Sequence, residues 1–159
     1  MDPRIENLEE KKFIGMNETM SLADNKTFIL FRKFMPRRKE IQHPVSNDIY
    51  DLQIYPDNYH SNFSPTNPFT KWAMVEVSSF ANIPEGMEAF TLVSGTYAVF
   101  TAAGLSKDKS IFQYIFTQWL PQSDYILDSR PHFDIMGEEY QQKGPDAEQE
   151  IWIPVKRKT

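Results

Sequence analysis

The segment Glu148–Val155 near the C-terminus constrains the fold most, because polar and apolar side chains alternate along it as in a half-buried β-strand. Its two faces hold alternate residues: Ile151, Ile153 and Val155 on one, and Glu150, Trp152 and Pro154 on the other. The first face predicts core. The second places a carboxylate beside an indole, a pair that can hold a cation or, if burial raises the carboxyl pKa, move a proton.

The composition indicates one domain with a real core. The chain has 159 residues, of which 40% are hydrophobic and 14% aromatic. The aromatic residues are explained either by core packing or by a pocket lined with rings. A net charge of −5 argues against a general phosphate-binding surface, so we expect no direct binding of nucleic acid.

The sequence shows no signature of a metal site or a cofactor. It has no cysteine, which excludes disulfides and thiolate ligands, and His43, His60 and His132 do not have the spacing of metal ligands. Neither a signal peptide nor the roughly 20 apolar residues of a membrane span is recognisable. We therefore expect a cytoplasmic protein without a metal, a cofactor or a membrane partner.

Alternation, capping residues and proline positions predict the order of the elements. The predicted elements are a strand at 10–21, a helix from 24–27 to Pro36, strands at 47–55 and 71–80, an extended piece at 89–92, a strand at 95–101, a helix from 106–109 to 120, and strands at 131–137 and 148–155. The segments 57–67 and 141–147 are predicted loops.

This order repeats a strand-helix-strand-strand unit, with an offset of about 84 residues between the halves. The halves span about 1–82 and 83–159 of a single domain. Each half alone would expose one face of a small sheet, so we expect the halves to pair and to leave a cleft between them. The predicted class is α+β, with antiparallel sheets and duplicated units.

Several motifs in the C-terminal half have the order and spacing of one family. They are Ile83-Pro84-Glu85-Gly86, Gly95–Phe100, Trp119-Leu120-Pro121 followed by Asp124-Tyr125, Arg130–Asp134, and Glu150–Val155. With them the chain resembles the GyrI-like small-molecule-binding domain, also called the AraC-type effector-binding domain. The N-terminal half matches through its element order and Trp72–Val77, so the resemblance covers nearly the whole chain.

The resemblance implies a duplicated fold around a cleft that binds varied, often cationic or aromatic, organic molecules. It also implies that the carboxylate on the last strand, Glu150, is the pocket acid. Many members are fused to a DNA-binding helix-turn-helix and regulate transcription, whereas we expect this chain to be a stand-alone form. Asp134 stands where the family usually has Glu, which argues against a pocket role for the strand that carries Phe133–Met136.

The candidate ligand-binding residues are Glu150, Trp152, Trp72, Tyr97, Glu76 and Met74. Trp72, Met74 and Glu76 share one face of the predicted strand 71–80, so an acid and a ring again lie together. The favoured function is a sensor or sequestering module whose affinity comes from aromatic walls and one unpaired acid. The alternatives are a hydrolase of strained cyclopropane-containing natural products, which needs a second polar group that the sequence does not locate, and an inhibitor of another protein. The oligomeric state stays open.

Overall fold

The computed structural model describes residues 2–103, 110–137, 141–142 and 148–159, with only the backbone at 102, 103 and 110. Its strands are β1 (Arg4–Leu8), β2 (Lys11–Met20), β3 (Ile49–Ile54), β4 (Phe69–Val77), β5 (Glu88–Leu92), β6 (Gly95–Ala103), β7 (Tyr125–Leu127), β8 (His132–Met136) and β9 (Glu148–Arg157). Its helical segments are α1 (Thr27–Phe34), a 3₁₀ turn (Met35–Glu40), α2 (Ser110–Tyr114), a π-helical turn (Ile115–Trp119) and α3 (Leu120–Gln122). The predicted α+β class is confirmed.

The strands form one antiparallel sheet in the order β1-β6-β9-β8-β3-β4-β2-β5, and β7 pairs with the end of β9. Each edge strand belongs to one predicted half and pairs with a strand of the other, since β1 pairs with β6 and β5 pairs with β2. The two halves are therefore interlocked in one sheet. The duplication of the units stays a prediction, which superposing residues 5–80 on 90–156 would test.

One face of the sheet, called the helix face here, is covered by the helices. Leu30 and Phe34 of α1 pack on apolar residues of β2, β3 and β4, and Ile111 and Ile115 pack on β6 and β9. The β9 residues in this second cluster are Ile151, Ile153 and Val155. The predicted core face of the last strand is thus buried under the second helix, as its alternation indicates.

The opposite face, called the ring face here, carries a cluster that consists of strand residues alone. Its buried members are Leu8, Phe13, Tyr50, Leu52, Trp72, Met74, Leu92, Tyr97, Val99, Phe133 and Trp152. Within the described part of the chain no helix contributes to this cluster, so the sheet must curl over its own ring face to exclude water. The ring face is where a ligand could enter without displacing a helix.

Two strands, β1 and β7, were not predicted. Both are short, and neither has enough residues for a clear alternation. They form strands because β6 and β9 offer them backbone hydrogen-bond partners. The two prolines act close to where they were predicted: α1 ends at Phe34, before Pro36, and α3 ends at Gln122, one residue beyond Pro121. The predicted helix start at 106–109 and most of the predicted loop 141–147 lie outside the described residues.

Pro154 lies inside β9, where proline is normally excluded from a sheet. On this side of β9 the neighbouring strand changes, because β8 pairs with it as far as Trp152 and β7 begins pairing at Val155. The missing N–H of Pro154 is therefore not required, and its carbonyl accepts a hydrogen bond of 3.0 Å from the N–H of Asp128.

Candidate functional site

A cavity of about 290 Å³ opens on the ring face. One wall consists of residues 6–9 and Lys11, which belong to the end of β1, the connection after it and the start of β2. The other wall is made by Tyr50, Phe133, Ile135 and Trp152. Three neighbouring strands, β3, β8 and β9, supply these four side chains, because their registers place the four on the same face.

The rings of the wall support one another. Phe133 stacks on Trp152 with 5.1 Å between ring centroids and 17° between planes, and Tyr50 lies 5.5 Å from Phe133. Tyr97 packs behind them, 5.8 Å from Trp152, and is fully buried. Its hydroxyl donates a hydrogen bond of 2.9 Å to the Pro131 carbonyl, so this donor is already paired within the protein. Tyr97 therefore supports the wall from behind.

Glu150 lies at the rim of this wall and holds two hydrogen-bond donors. The indole Nε1 of Trp152 donates to Oε1 at 3.2 Å, and the Nη2 of Arg4 donates to Oε2 at 2.8 Å. The Arg4 guanidinium carbon also lies 5.7 Å from the centroid of the Trp152 ring. The expectation of an unpaired acid is wrong, because the edge strand β1 brings a cation of the chain itself to the carboxylate.

Tyr50 has its hydroxyl within the same wall. Burial, and then the charges of Glu76, Asp48 and Glu150, raise the pKa of Tyr50 well above its usual value. The phenol is therefore neutral at physiological pH and can donate a hydrogen bond. Tyr50 lines the cavity, so a molecule bound there would lie beside this donor.

The other end of the ring face is filled. Trp72 packs on Phe90 of β5 with 5.0 Å between ring centroids, and Met74 has no exposed surface. Glu76 pairs with Lys11, whose Nζ lies 3.4 Å from Oε2. Lys11 lines the cavity, so Glu76 contacts the site through this lysine, and its charge also acts on Tyr50 of the wall.

The six predicted residues thus fall into three positions. Trp152 lines the cavity and Glu150 flanks it, Tyr97 is buried against Trp152 and Phe133, and Trp72, Met74 and Glu76 belong to the other end of the face. Sequence reasoning missed Arg4, Tyr50 and Phe133. Alternation in β3 does place Tyr50 with Leu52, but alternation alone does not say which strands are neighbours.

A second set of carboxyl groups lies on the helix face. Asp134 faces Asp51 across the β3–β8 pair, and Lys71 Nζ lies 3.4 Å from the Asp51 carboxylate. Burial and the nearby Asp51 raise the pKa of Asp134 to about 8. Asp134 therefore points away from the cavity, and the strand that carries it contributes Phe133 and Ile135 to the wall instead.

The buried histidine His132 is uncharged. Burial, with a smaller effect of His60, lowers the pKa of His132 to about 3, so its imidazole is neutral. Among the residues that the structure describes, no group of three or more histidine, aspartate or glutamate side chains could hold a metal ion. None of the helices in that part of the chain has the length and apolar character needed to cross a membrane.

Comparison with known proteins agrees with this architecture. The sequence pattern of the family Cass2, described as integron-associated effector binding protein, matches residues 4–155. The structure of SAV2435 bound to tetraphenylphosphonium superposes with a TM-score of 0.67, is 20% identical, and covers 98% of this chain and 94% of its own. The Vibrio cholerae integron cassette protein VCH_CASS2 has a TM-score of 0.60 at 17% identity, covering 98% and 97%.

The C-terminal domain of EcmrR has a TM-score of 0.71 at 12% identity, covering 97% of this chain and 96% of its own. At such identities these structures show a shared fold. No functionally curated protein matches the sequence. The predicted resemblance to effector-binding domains is confirmed.

Proposed function

Since the chain belongs to the Cass2 family of integron-associated effector binding proteins, we propose that it captures organic cations with aromatic rings in the cavity of the ring face. By binding these cations the protein would act as a sensor of them or would sequester them. Glu150 supplies the charge, Trp152 and Phe133 supply ring faces, and Tyr50 supplies a hydrogen-bond donor. Tyr97 supports the wall, and Trp72, Met74 and Glu76 shape the far end of the face.

One observation carries this proposal: the Glu150–Trp152 pair already holds a cation. The Arg4 guanidinium is bound by the carboxylate at 2.8 Å and lies 5.7 Å from the indole centroid. A carboxylate and a ring face act together on a cation, one through charge and the other through the ring quadrupole. The same two groups would therefore accept a ligand cation of suitable shape.

Two further observations support the ligand class. SAV2435, which shares the fold, has been seen with tetraphenylphosphonium, an organic cation that carries four rings. The cavity of about 290 Å³ is near the lower end of ligand pockets, about 300 Å³. A ligand with several rings therefore requires the cavity to widen, and the wall formed by the edge strand β1 has only one strand neighbour to restrain it.

The test compares two ligands of similar shape, the cation methyltriphenylphosphonium and the neutral triphenylphosphine oxide. Affinities are measured by isothermal titration calorimetry for the wild type and for Glu150→Gln. We expect the substitution to weaken binding of the cation by about 10- to 100-fold, which corresponds to the roughly 1.5–3 kcal/mol of a charge-assisted hydrogen bond. Binding of the neutral ligand should change by less than about twofold.

Glu85→Gln is the matched control, because Glu85 is an exposed acid in the turn before β5, away from the cavity. It should leave both affinities unchanged. Equal losses for the two ligands in Glu150→Gln, or no loss for either, would show that the carboxylate does not take part in binding.

Hydrolysis in the same cavity is the second candidate, and the Tyr50 hydroxyl is the observation that favours it. It is a second polar group on the wall, which the sequence did not reveal. Glu150 would activate a water molecule while Tyr50 donates a hydrogen bond to the electrophile. Incubation with a cyclopropane-containing alkylator, with detection of the ring-opened product, tests this activity. Turnover that disappears in both Glu150→Gln and Tyr50→Phe would favour the enzyme over the pure binder.

The absence of direct nucleic-acid binding stays a prediction from the net charge of −5. A gel shift at low salt checks it, and tight, sequence-dependent binding would contradict it. Inhibition of another protein and location in the cytoplasm also stay predictions.

A further inference from the structure

Arg4 lies where the ligand cation of the proposed function would lie. Its Nη2 donates to Glu150 Oε2 at 2.8 Å, its Nε donates to Glu6 Oε1 at 2.9 Å, and its guanidinium carbon lies 5.7 Å from the Trp152 centroid. The hydrogen bond to Glu150 is the largest of the effects that raise the pKa of Arg4. The guanidinium therefore remains charged and bound to the acid of the site.

The sheet register brings Arg4 to this position. Arg4 pairs with Val99, and Val99 pairs with Trp152, so the three residues form a row across β1, β6 and β9 on the ring face. Cross-strand neighbours in such a row lie close enough for a long side chain to reach the second strand. The contact between residues 4 and 150 thus depends on the pairing of β1.

Arg4 already pairs with the carboxylate that a ligand cation would use, and both oxygens of this carboxylate hold a donor. One oxygen accepts from Trp152 and the other from Arg4. Arg4 is nevertheless easy to displace, because its side chain is 47% exposed and exposed ion pairs contribute little to stability. Its second partner, Glu6 of the same strand, can still bind the guanidinium after the hydrogen bond to Glu150 has broken.

We propose that Arg4 is a specificity-determining residue, an internal cation that competes with the ligand for Glu150 and Trp152. This inference rests on the proposed function and specifies which cations the site binds. A small hydrophilic cation only replaces the contacts of the guanidinium and gains nothing. A cation that carries rings also contacts Tyr50 and Phe133 in the cavity, and that added contact displaces Arg4.

The test measures three ligands by isothermal titration calorimetry: methyltriphenylphosphonium, tetramethylammonium and triphenylphosphine oxide. Arg4→Ala should bind methyltriphenylphosphonium about 3- to 10-fold more tightly than the wild type, because the competing cation is gone. Tetramethylammonium, which the wild type should hardly bind, should show measurable binding. The neutral oxide should change by less than about twofold.

Three variants separate competition from a structural effect. Arg4→Lys keeps a cation and should stay within about twofold of the wild type, since the competition persists. Arg4→Met keeps the length of the side chain and should reproduce the gain if Arg4→Ala fails to fold. In the Glu150→Gln background, removal of Arg4 should change the affinity for the cation by less than about twofold, because the acid that holds Arg4 beside Trp152 is absent.

Each result decides the matter. If the wild type binds the cation and Arg4→Ala binds it equally or more weakly, the inference is overturned. The proposed function is then unaffected. A gain that is the same for the neutral oxide shows that Arg4 merely obstructs the cavity, which also overturns it. No cation binding by either protein removes the proposed function itself, and the inference falls with it.

Discussion

Glu150 and Asp134 lie at neighbouring positions of the paired strands β8 and β9, but on opposite faces of the sheet. Glu150 pairs in register with Ile135 on the ring face, and Asp134 pairs with Ile151 on the helix face. The side chain of Glu150 is 34% exposed and holds two donors at the rim of the cavity. Asp134 lies on the helix face, where burial and Asp51 raise its pKa to about 8.

The comparison shows that the face decides what a carboxyl group can do. At the rim the negative charge is retained and shared with Arg4, an exposed side chain that can leave. On the helix face the charge is costly, so the carboxyl group keeps its proton and cannot attract a cation. One position along the strand thus separates a candidate binding residue from a structural one.

The largest expected effect concerns the pH dependence of Asp134. Between about pH 4 and 8 the folded protein keeps this proton and the unfolded chain releases it, so the free energy of unfolding falls as pH rises. Asp134→Asn removes the titration. Its free energy of unfolding relative to wild type should therefore rise from pH 4 to pH 8 by about 5 kcal/mol, at about 1.4 kcal/mol per unit of pKa.

Urea unfolding at several pH values measures this difference. Glu10→Gln is the control, because Glu10 is an exposed acid on the turn between β1 and β2, and its difference from wild type should not vary with pH. If the relative stability of Asp134→Asn were also flat across this range, the contrast between the faces would be broken.

The second prediction concerns the two ends of the ring face. Trp152 and Trp72 are almost equally buried, 8% and 7% exposed, but only Trp152 lines the cavity. Replacing either by Leu should lower the free energy of unfolding by about 2–4 kcal/mol. Trp152→Leu should also weaken methyltriphenylphosphonium binding by about tenfold through loss of the ring face, whereas Trp72→Leu should change it by less than about twofold.

Calorimetric titration of both variants at a temperature where both are folded provides the measurement. Because the stability losses are matched, each tryptophan variant serves as the control for the other. A larger loss of affinity in Trp72→Leu than in Trp152→Leu would show that the ligand binds at the end of the ring face where Phe90 lies.

The smallest expected effect comes from Glu76, the acid at the other end. Its ion pair with Lys11 is partly exposed, and such pairs contribute about 0–1 kcal/mol. Glu76→Gln releases Lys11 beside the cavity, so the cation should bind only about twofold more weakly. Glu150→Gln is the reference for this titration. A loss as large as that of Glu150→Gln would mean that the two acids share the ligand charge.

The sequence by itself determined the faces of the long strands. In Glu148–Val155 the alternation correctly separated Ile151 and Ile153, which pack under a helix, from Glu150 and Trp152, which do not. It also indicated the α+β class, because the elements that form β2, β3, β4, β6, β8 and β9 carry their own alternation and breakers. These are local properties that a short window of residues expresses.

The tertiary structure alone decided which side chains meet at the cavity. Arg4 reaches Glu150 across 146 positions of the chain, and Tyr50 joins Phe133 because β3 happens to lie beside β8. Alternation repeats every two residues and says nothing about which strand is the neighbour or in what register it pairs. Backbone hydrogen bonds fit any pair of strands, so the packing of side chains from distant strands makes that choice, and it sets the cation at the site and the hydroxyl beside it.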